Sequence, residues 1–355
     1  MKRFLFDIDV VGACNLRCPS CPQGNVKDYR LPHGFMEPEL LARIVEKARS
    51  ECEVASISLF SWGEPLLHPR LPDMIRVVNA AGIQCHLSSN LNLGQDADAI
   101  MAANPASFKI SVSGFTQEVY GRTHRGGDVE RVKRHMIELA AAKKRQHATT
   151  RIFVNYHRYR HNLSEGERIR EFAEKLGIDF EPVWALMLPL EKILGYGGEE
   201  VAGFPLTGED ERLIDNLALP LPAALAAARG DPGEPCILRE AQVSLDFQGN
   251  VQLCCGIFDD SKFTIGPYLG LSLAEIQRLR EAHPLCRRCL EAGGHLYLTY
   301  RVPDLEGLVL GSLSTAEVAL PGLRREIARK RMERRLTRLY NRFFSGVFSA
   351  GRVEK

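Results

Sequence analysis

The chain has 355 residues, which is enough for about two domains. Its 45% apolar and 25% charged residues are ordinary values for a globular protein, so the disordered and collagen-like classes are excluded. A net charge of +2 argues against a protein that binds nucleic acid through its overall charge. No run of about 20 apolar residues predicts a transmembrane helix.

The sequence contains ten cysteines, which help to predict the cellular compartment of the protein. Asp7 and Asp9 interrupt the apolar segment that follows Lys2 and Arg3, so we predict no export signal. In a reducing compartment, clustered thiols more often hold metal or do chemistry than form disulfides. We therefore expect a cytoplasmic protein.

From Phe4 to about Met187, short β-rich runs alternate with helical patterns. The predicted strands are Phe4–Val11, Val54–Phe60, Ile83–Ser88, Phe108–Ser113, Arg151–His157 and Asp179–Leu186. The predicted helices are Pro38–Arg49, Pro69–Ala81, Asp96–Ala102, Asp128–Lys144 and Glu165–Leu176. Such alternation is typical of an α/β protein with a parallel sheet. Six repeats favour a partial, TIM-like (β/α)6 barrel, in which functional residues follow the carboxyl ends of the strands.

The pattern changes after Met187. A Gly-rich connection leads to an Ala/Leu-rich helix that ends near Arg229, and a Pro/Gly break follows. Residues 236–289 then predict a small α+β unit with a hairpin (Gln242–Phe247 and Asn250–Cys254) and a helix at Ser272–Glu281. We expect domains at residues 1–205 and 206–300, followed by a basic helical tail at 301–355.

The tail is basic, with eleven Lys/Arg and three Glu between Pro321 and Lys355. Apolar residues recur there at roughly helical spacing: Leu320, Leu323, Ile327, Leu336, Leu339, Phe343 and Val347. The simplest interpretation is a terminal helix packed on its own domain. Peripheral contact with an anionic membrane or a lipid-linked substrate is a second interpretation, and nucleic acid is a third, less favoured one.

Three cysteines follow the first predicted strand within eight residues: Cys14, Cys18 and Cys21. A closed structural zinc site needs four ligands, so zinc would require a distant fourth ligand such as Cys52 or Cys85. An iron–sulfur cluster can be held by three cysteines, which leaves one iron open to another ligand. The spacing alone leaves both alternatives open.

A second motif stands at the end of the second predicted strand: Ser61, Trp62, Gly63, Glu64 and Pro65. The two motifs together resemble the radical S-adenosylmethionine (radical SAM) superfamily. Its members carry Cys-x3-Cys-x2-Cys after the first strand and a Gly-Gly-Glu-Pro stretch after the second. Trp62 replaces the usual first glycine. The resemblance covers about residues 1–190.

The resemblance implies a [4Fe–4S] cluster on Cys14, Cys18 and Cys21, which binds S-adenosylmethionine and generates a 5′-deoxyadenosyl radical. It also implies an electron donor of the flavodoxin or ferredoxin type. It places the cofactor contacts at strand ends: Ser61, Trp62, Gly63, Glu64, Ser89, Asn90, Ser111 and Ser113. Ser113 stands where relatives carry Asp. Ser89, Ser111 and Ser113 are each about as well explained as a turn or cap residue.

Tyr156 and His157 end the fifth predicted strand and are weak catalytic candidates. A histidine without an assigned role is more often packed in the core or solvated than catalytic. Unclustered Cys52 and Cys85 are interpreted as small apolar residues of buried elements.

A second constellation comprises Cys236, Cys254, Cys286 and Cys289. Two ligands near a hairpin and two in a Cys-x2-Cys pair would suit a zinc ribbon. Beside the first motif, however, they resemble the auxiliary-cluster domain of radical SAM enzymes (SPASM, or its shortened twitch form), which implies one auxiliary [4Fe–4S] cluster. Cys255 could replace Cys254, since adjacent strand residues point to opposite faces.

The leading functional hypothesis is a radical SAM oxidoreductase that oxidises a sugar-, cyclitol- or other small-molecule alcohol. The alternative is peptide or protein modification: thioether formation, epimerisation or side-chain oxidation. Many peptide-modifying relatives carry an N-terminal leader-binding domain, and Cys14 follows the first strand directly, which lowers that expectation. A zinc-stapled binding module would leave the Gly63-Glu64-Pro65 motif unexplained.

Overall fold

The computed structural model describes residues 2–26, 33–94, 96–198, 201–229, 234–258 and 260–334. The strands are β1 (Arg3–Ile8), β2 (Glu53–Ser58), β3 (Cys85–Ser89), β4 (Ser107–Ser111), β5 (Arg151–Arg158), β6 (Asp179–Trp184), β7 (Gln242–Leu245), β8 (Asn250–Gln252) and β9 (Thr264–Pro267). The helices of the first half are α1 (Pro22–Asn25), α2 (Pro38–Glu51), α3 (Leu71–Ala80), α4 (Ala97–Ala102), α5 (Gln117–Thr123), α6 (Val129–Arg145) and α7 (Gly166–Lys175).

The helices of the second half are shorter, and most of them do not alternate with strands. They are α8 (Leu190–Tyr196), α9 (Gly208–Asp215), α10 (Leu221–Arg229), α11 (Ile237–Ala241), α12 (Asp260–Phe263), α13 (Leu273–Ala282), α14 (Pro284–Glu291), α15 (Gly294–Leu298), α16 (Leu305–Ser312) and α17 (Thr315–Val318). Residues 323–334 form a further helix. Short 3-10 turns lie at Pro65–Leu67, Arg160–Glu165 and Tyr268–Gly270.

One sheet runs through the described residues in the order β6-β5-β4-β3-β2-β1-β7-β8-β9. Strands β1 to β6 are parallel and each pairs with the next, as successive crossover units require. Because β6 ends the sheet and is not paired with β1, the barrel is open. The predicted α/β class with a partial TIM-like barrel is confirmed.

The hairpin of the second half extends the same sheet. Strand β7 pairs in parallel with β1, with Phe6 opposite Val243, and β8 returns antiparallel to β7. Strand β9 is a third member that the sequence did not predict. It is only four residues long and contains Gly266 and Pro267, which disfavour strands. The domain boundaries at 205 and 300 stay predictions.

Alternating burial gives the barrel sheet two different faces. On β1, Phe4, Phe6 and Ile8 are buried, and they belong to one hydrophobic core with Leu41 and Ile44 of α2. The intervening side chains occupy the opposite face, which we call the inner face. This face is polar and carries Asp7, Ser58, His86, Lys109 and His157 on five successive strands.

Most predicted helices are present, with boundaries moved by one or two residues to their caps. Asp128 caps α6 by accepting from the backbone N–H groups of Glu130 and Arg131, and Ser272 caps α13. Helix α5 was not predicted, because it is short and contains Gly121. The first two strands end earlier than predicted, at Ile8 and Ser58, so the residues that follow are free to form loops.

The described part of the basic tail packs on the rest of the chain. Leu323 and Ile327 are buried, and Glu326 accepts two hydrogen bonds from Arg158 at 2.9 and 2.6 Å. Lys330 Nζ donates to the carbonyl oxygen of Pro182 on the edge strand β6. The predicted apolar positions from Leu336 onward lie outside the described residues. In the described part of the chain, no helix is long and apolar enough to cross a membrane.

Candidate active site

The first cysteine loop follows β1 at the carboxyl edge of the sheet. Its backbone is compact: the N–H of Cys21 donates to Cys18 O at 3.1 Å, and the N–H of Gly24 donates to Cys21 O at 2.9 Å. A Cβ on Gly24 would lie 2.4 Å from both Arg17 O and Cys18 O. Only glycine fits at this position, so Gly24 allows the loop to close around its three thiols.

The three thiols influence one another. Burial, followed by the charge of Glu64, raises the pKa of Cys14 to about 11. Burial, followed by the charge of Cys14, raises the pKa of Cys18 to about 12. Burial and both neighbouring thiolates raise the pKa of Cys21 further. Three thiolates can therefore coexist here only with a compensating cationic centre, and a cluster of thiolate-bound iron supplies one.

Cys52 and Cys85 do not complete a zinc site with this loop. Cys52 precedes β2 and Cys85 opens β3, so both lie toward the amino edge of the parallel sheet, whereas Cys14 follows the carboxyl end of β1. Both side chains are buried in the hydrophobic core, as interpreted from the sequence. Within the described ranges, no three His, Cys, Asp or Glu side chains meet as ligands of one metal ion. The thiolates of an iron–sulfur cubane bind different irons and need not meet at one point.

The loop after β2 is held by Asp9, which was not predicted from the sequence to be a site residue. The backbone N–H groups of Trp62 and Gly63 both donate to the Asp9 carboxylate at 3.0 Å, and that of Glu64 donates to Ala13 O at 2.8 Å. A Cβ on Gly63 would lie 1.9 Å from Val11 O, so glycine permits close packing against the preceding loop.

The same loop offers free acceptors. Among the described residues, the carbonyl oxygens of Ser61, Trp62 and Gly63 accept no hydrogen bond. Backbone carbonyls without a donor suit a ligand that carries an ammonium group. The acceptor oxygens of this loop therefore fit the amino group of S-adenosylmethionine.

Glu64 is buried and its carboxylate faces the protein backbone. Its two oxygens accept from the N–H of Leu66 at 3.0 Å and from the N–H of Asn90 at 2.9 Å. Burial raises the pKa of Glu64 to about 7, although these N–H groups oppose the shift. Glu64 thus joins the loops after β2 and β3. Asn90 continues the link, since its Nδ2 donates to Asn15 Oδ1 at 2.9 Å and lies 3.8 Å from Cys14 Sγ.

The predicted serines have different surroundings. Ser89 Oγ accepts from the N–H of Leu91 at 2.8 Å, which is a turn contact. Ser113 is fully buried, and its hydroxyl has no hydrogen-bond partner among the described residues. A buried, unpartnered hydroxyl is costly unless a ligand uses it. Ser111 ends β4 on the inner face, where its backbone hydrogen-bonds the side chain of His124.

Tyr156 and His157 lie on opposite faces of β5. Tyr156 is buried in the hydrophobic core, where its hydroxyl donates to Asn162 O at 2.7 Å, so it points away from the inner face. His157 lies on the inner face, and burial together with the charge of Lys109 lowers its pKa to about 4. His124, which follows the unpredicted helix α5, is a neighbour of His157 whose pKa burial lowers to about 3.

The four cysteines of the second constellation line a single pocket. Cys236 caps α11, Cys254 follows β8, and Cys286 and Cys289 lie on α14. Cys255 lines the neighbouring cavity and not this pocket. The N–H of Gly256 donates to Cys254 Sγ at 3.4 Å, and a hydrogen bond from the Cys255 thiol lowers the pKa of Cys254.

Two buried cationic or polar groups flank this pocket. Arg280 is 1% exposed and donates to Gln242 O and Gln252 O at 2.5 and 3.0 Å, while its Nε has no partner in the described chain. Burial lowers the pKa of Arg280, and the nearby cysteines, Cys254 foremost, raise it. His295 lines the pocket itself. Sequence reasoning missed both residues, because neither stands next to a motif.

Comparison with known proteins gives a family for the first half of the chain. Residues 8–162, which hold both motifs, match the model of the Radical SAM superfamily. The tungsten-containing aldehyde ferredoxin oxidoreductase cofactor-modifying protein of Pyrococcus furiosus is 33% identical over 89 residues, 25% of this chain and 24% of that protein. GTP 3′,8-cyclase of Chlorobaculum tepidum is 28% identical over 137 residues, 38% of this chain and 40% of that protein.

The matched segments thus cover between a quarter and two fifths of these curated relatives. Among solved structures, Streptococcus suis SuiB bound to S-adenosylmethionine has a TM-score of 0.54 at 14% identity, covering 80% of this chain and 67% of that one. At this identity the likeness concerns the fold. Residues 8–162 therefore form a domain of the radical SAM superfamily, a family that implies a [4Fe–4S] cluster and S-adenosylmethionine.

Proposed function

We propose that this protein is a radical SAM oxidoreductase that oxidises a small-molecule alcohol, such as a sugar or cyclitol. In this proposal, Cys14, Cys18 and Cys21 hold the cluster that binds S-adenosylmethionine. A second [4Fe–4S] cluster is held by Cys236, Cys254, Cys286 and Cys289. The observation that carries the proposal is that these last four thiols line one pocket, since a second redox centre suits a two-electron oxidation.

The electron count explains why a second centre is useful. A cluster held by the first cysteine loop would supply the one-electron reduction that cleaves S-adenosylmethionine, and this chemistry would remove one hydrogen atom from the substrate carbon. The alcohol then still has to lose one electron and one proton to become a carbonyl. A cluster held by Cys236, Cys254, Cys286 and Cys289 would accept that electron, and a protein base would accept the proton.

The chain's own residues would bind and orient the cofactor. The carbonyl oxygens of Ser61, Trp62 and Gly63 would accept hydrogen bonds from the methionine ammonium, because none of the described residues donates to them. The unpartnered hydroxyl of Ser113 would contact bound cofactor or substrate. Asn90 would act nearer the cysteine loop, where its amide lies 3.8 Å from Cys14 Sγ.

His157 is the better of the two predicted candidates for the base. Burial, followed by Lys109, lowers its pKa to about 4, so the imidazole is neutral at pH 7 and can accept a proton. A weak base suffices, because an alcohol that has lost a hydrogen atom and is losing an electron is a strong acid. Tyr156 lacks access, since its hydroxyl is bound to Asn162 O in the core.

An experiment with deuterated cell extract tests the substrate class. Reconstituted protein is incubated with S-adenosylmethionine, dithionite and an ultrafiltered small-molecule fraction from bacteria grown in D2O. We expect deuterated 5′-deoxyadenosine by mass spectrometry. Periodate treatment of the fraction, which cleaves vicinal diols and amino alcohols, should remove the activity if the substrate is a sugar or cyclitol.

The alternative is a peptide substrate. The fold neighbour SuiB has been solved with its precursor peptide SuiA. If the deuterium came only from the peptide fraction of the same extract, and protease treatment abolished its transfer, the alcohol proposal would be wrong and the peptide alternative would stand. Deuterium that returned to product with regeneration of S-adenosylmethionine would exclude a net oxidation of either substrate.

A further inference from the structure

Trp62 connects the two cysteine sites through its side chain. Its Nε1–H donates to Ile257 O at 2.9 Å, and its ring meets Phe258 edge to face at 6.0 Å and 88°. Ile257 and Phe258 belong to residues 254–258, which we call the cysteine-254 segment. A glycine at position 62, the residue usual in the family, could make neither contact.

The cysteine-254 segment is fixed on its other side by α8 and α15. The N–H of Leu190 donates to Gly256 O at 2.7 Å, and the N–H of Phe258 donates to the buried carboxylate of Glu191 at 2.9 Å. A Cβ on Gly256 would lie 2.7 Å from Leu298 Cδ1. The segment is therefore held between α8, α15 and Trp62.

Trp62 is itself anchored to the first strand. Its backbone N–H donates to Asp9 Oδ2 at 3.0 Å, and Asp9 also binds the N–H of Gly63. Trp62 and Cys254 line the same small cavity of about 30 Å³. Because the N–H of Ile257 donates to Cys254 O at 3.2 Å, a continuous chain of contacts runs from Asp9 through Trp62 and Ile257 to Cys254.

We propose that Trp62 is a positioning residue that holds Cys254, and with it the second cluster, at a fixed place relative to the cofactor-binding loop. The inference rests on the proposed function, which assigns clusters to both cysteine sets. Supporting groups of this kind matter because displacements of about 1 Å at a reactive centre can cost about a hundredfold in rate.

Two variants of Trp62 test the proposal. Trp62→Phe keeps an aromatic ring and removes the Nε1–H donor, whereas Trp62→Gly restores the residue usual in the family. The control is Trp184→Phe, since Trp184 of β6 is the only other tryptophan in the sequence and is buried against Arg158 of β5. All three changes are made in the reconstituted Cys14→Ala, Cys18→Ala, Cys21→Ala protein, so that any iron belongs to the second site.

Hydrogen exchange and EPR give two readouts that do not depend on activity. Loss of one hydrogen bond should speed amide exchange in the cysteine-254 segment about tenfold in Trp62→Phe, and more in Trp62→Gly. The reduced cluster should give a broadened EPR signal and a shifted midpoint potential. The Trp184→Phe control should change none of these.

The outcomes separate this inference from the proposed function. If the second site holds iron, and exchange, EPR signal and potential stay unchanged in both Trp62 variants, the positioning role is wrong while the cluster assignment stands. If the second site holds no iron in the protein with Trp62 intact, both proposals are wrong. Should Trp62→Gly not fold, Trp62→Phe alone decides the positioning role.

Discussion

At the scale of single residues, Glu64 links the loops after β2 and β3. Its buried carboxylate accepts from the N–H groups of Leu66 and Asn90, and burial raises its pKa from 4.5 to about 7. A carboxyl whose pKa is higher in the folded state takes up a proton on folding. The stability it confers is therefore fully present below about pH 4.5 and is lost as the pH rises through 7.

Replacing Glu64→Gln should remove this pH dependence. Between pH 4.5 and 7, the contribution of Glu64 to the free energy of unfolding changes by about 3 kcal/mol. Between pH 6 and 8, we expect the Tm of the wild type to fall relative to that of Glu64→Gln in scanning calorimetry. Glu53→Gln is the matched control, since Glu53 is exposed. Parallel Tm profiles for wild type and Glu64→Gln would contradict this account.

Site residues that lie in a sequence motif could be predicted. Site residues that only the folded chain places near those motifs could not. Gly63 was predicted as part of the motif after the second strand, and the structure explains the need for glycine by its close approach to Val11 O. Asp9 and His124 were missed. Asp9 lies in a strand-end segment with no motif of its own, and His124 follows a helix that local propensity does not favour.

At the scale of elements, a buried ion pair joins α8 to α9 and α1. Lys192 Nζ donates to both oxygens of Asp210 and to Asn25 O, each at 2.7 Å, and both side chains of the pair are 1% exposed. Asn25 is the last residue of α1, the helix that follows the first cysteine loop. The ion pair therefore helps to fix the position of that loop.

Replacing Lys192→Met should leave Asp210 buried without its cation. We expect a loss of about 3–5 kcal/mol of folding free energy, seen as a lower Tm. Arg122→Met is the control, because it breaks the exposed pair with Glu118 and should cost at most about 0.5 kcal/mol. A Tm for Lys192→Met equal to that of Arg122→Met would show that the buried pair does not stabilise the fold.

The alternation of strand and helix patterns predicted the barrel well. In each βα unit, the hydrophobic periodicity and the residues that cap the helix can be recognised from the local sequence. The second half was harder. Its hairpin and α13 were predicted from the sequence, whereas β9 was not. Nothing local could predict that β7 pairs with β1, since the partners are more than 230 residues apart along the chain.

At the scale of the whole molecule, the two cysteine sets should bind iron independently. Reconstituted wild type should contain about eight irons per chain, and Cys286→Ala with Cys289→Ala about four, because each cubane holds four. The double variant should still cleave S-adenosylmethionine. Cys255→Ala is the control and should keep all eight, since Cys255 does not line the pocket of the other four. Stoichiometric zinc at this site would instead indicate a structural ribbon.

We propose that the first cysteine loop holds the cluster that cleaves S-adenosylmethionine. The direct measurement is 5′-deoxyadenosine formed from S-adenosylmethionine under dithionite, by anaerobically reconstituted wild type and by the Cys14→Ala, Cys18→Ala, Cys21→Ala variant. We expect the wild type to form 5′-deoxyadenosine. We expect the triple variant to form none while keeping about four irons at the second site. Formation of 5′-deoxyadenosine by the triple variant at the wild-type rate would contradict the claim.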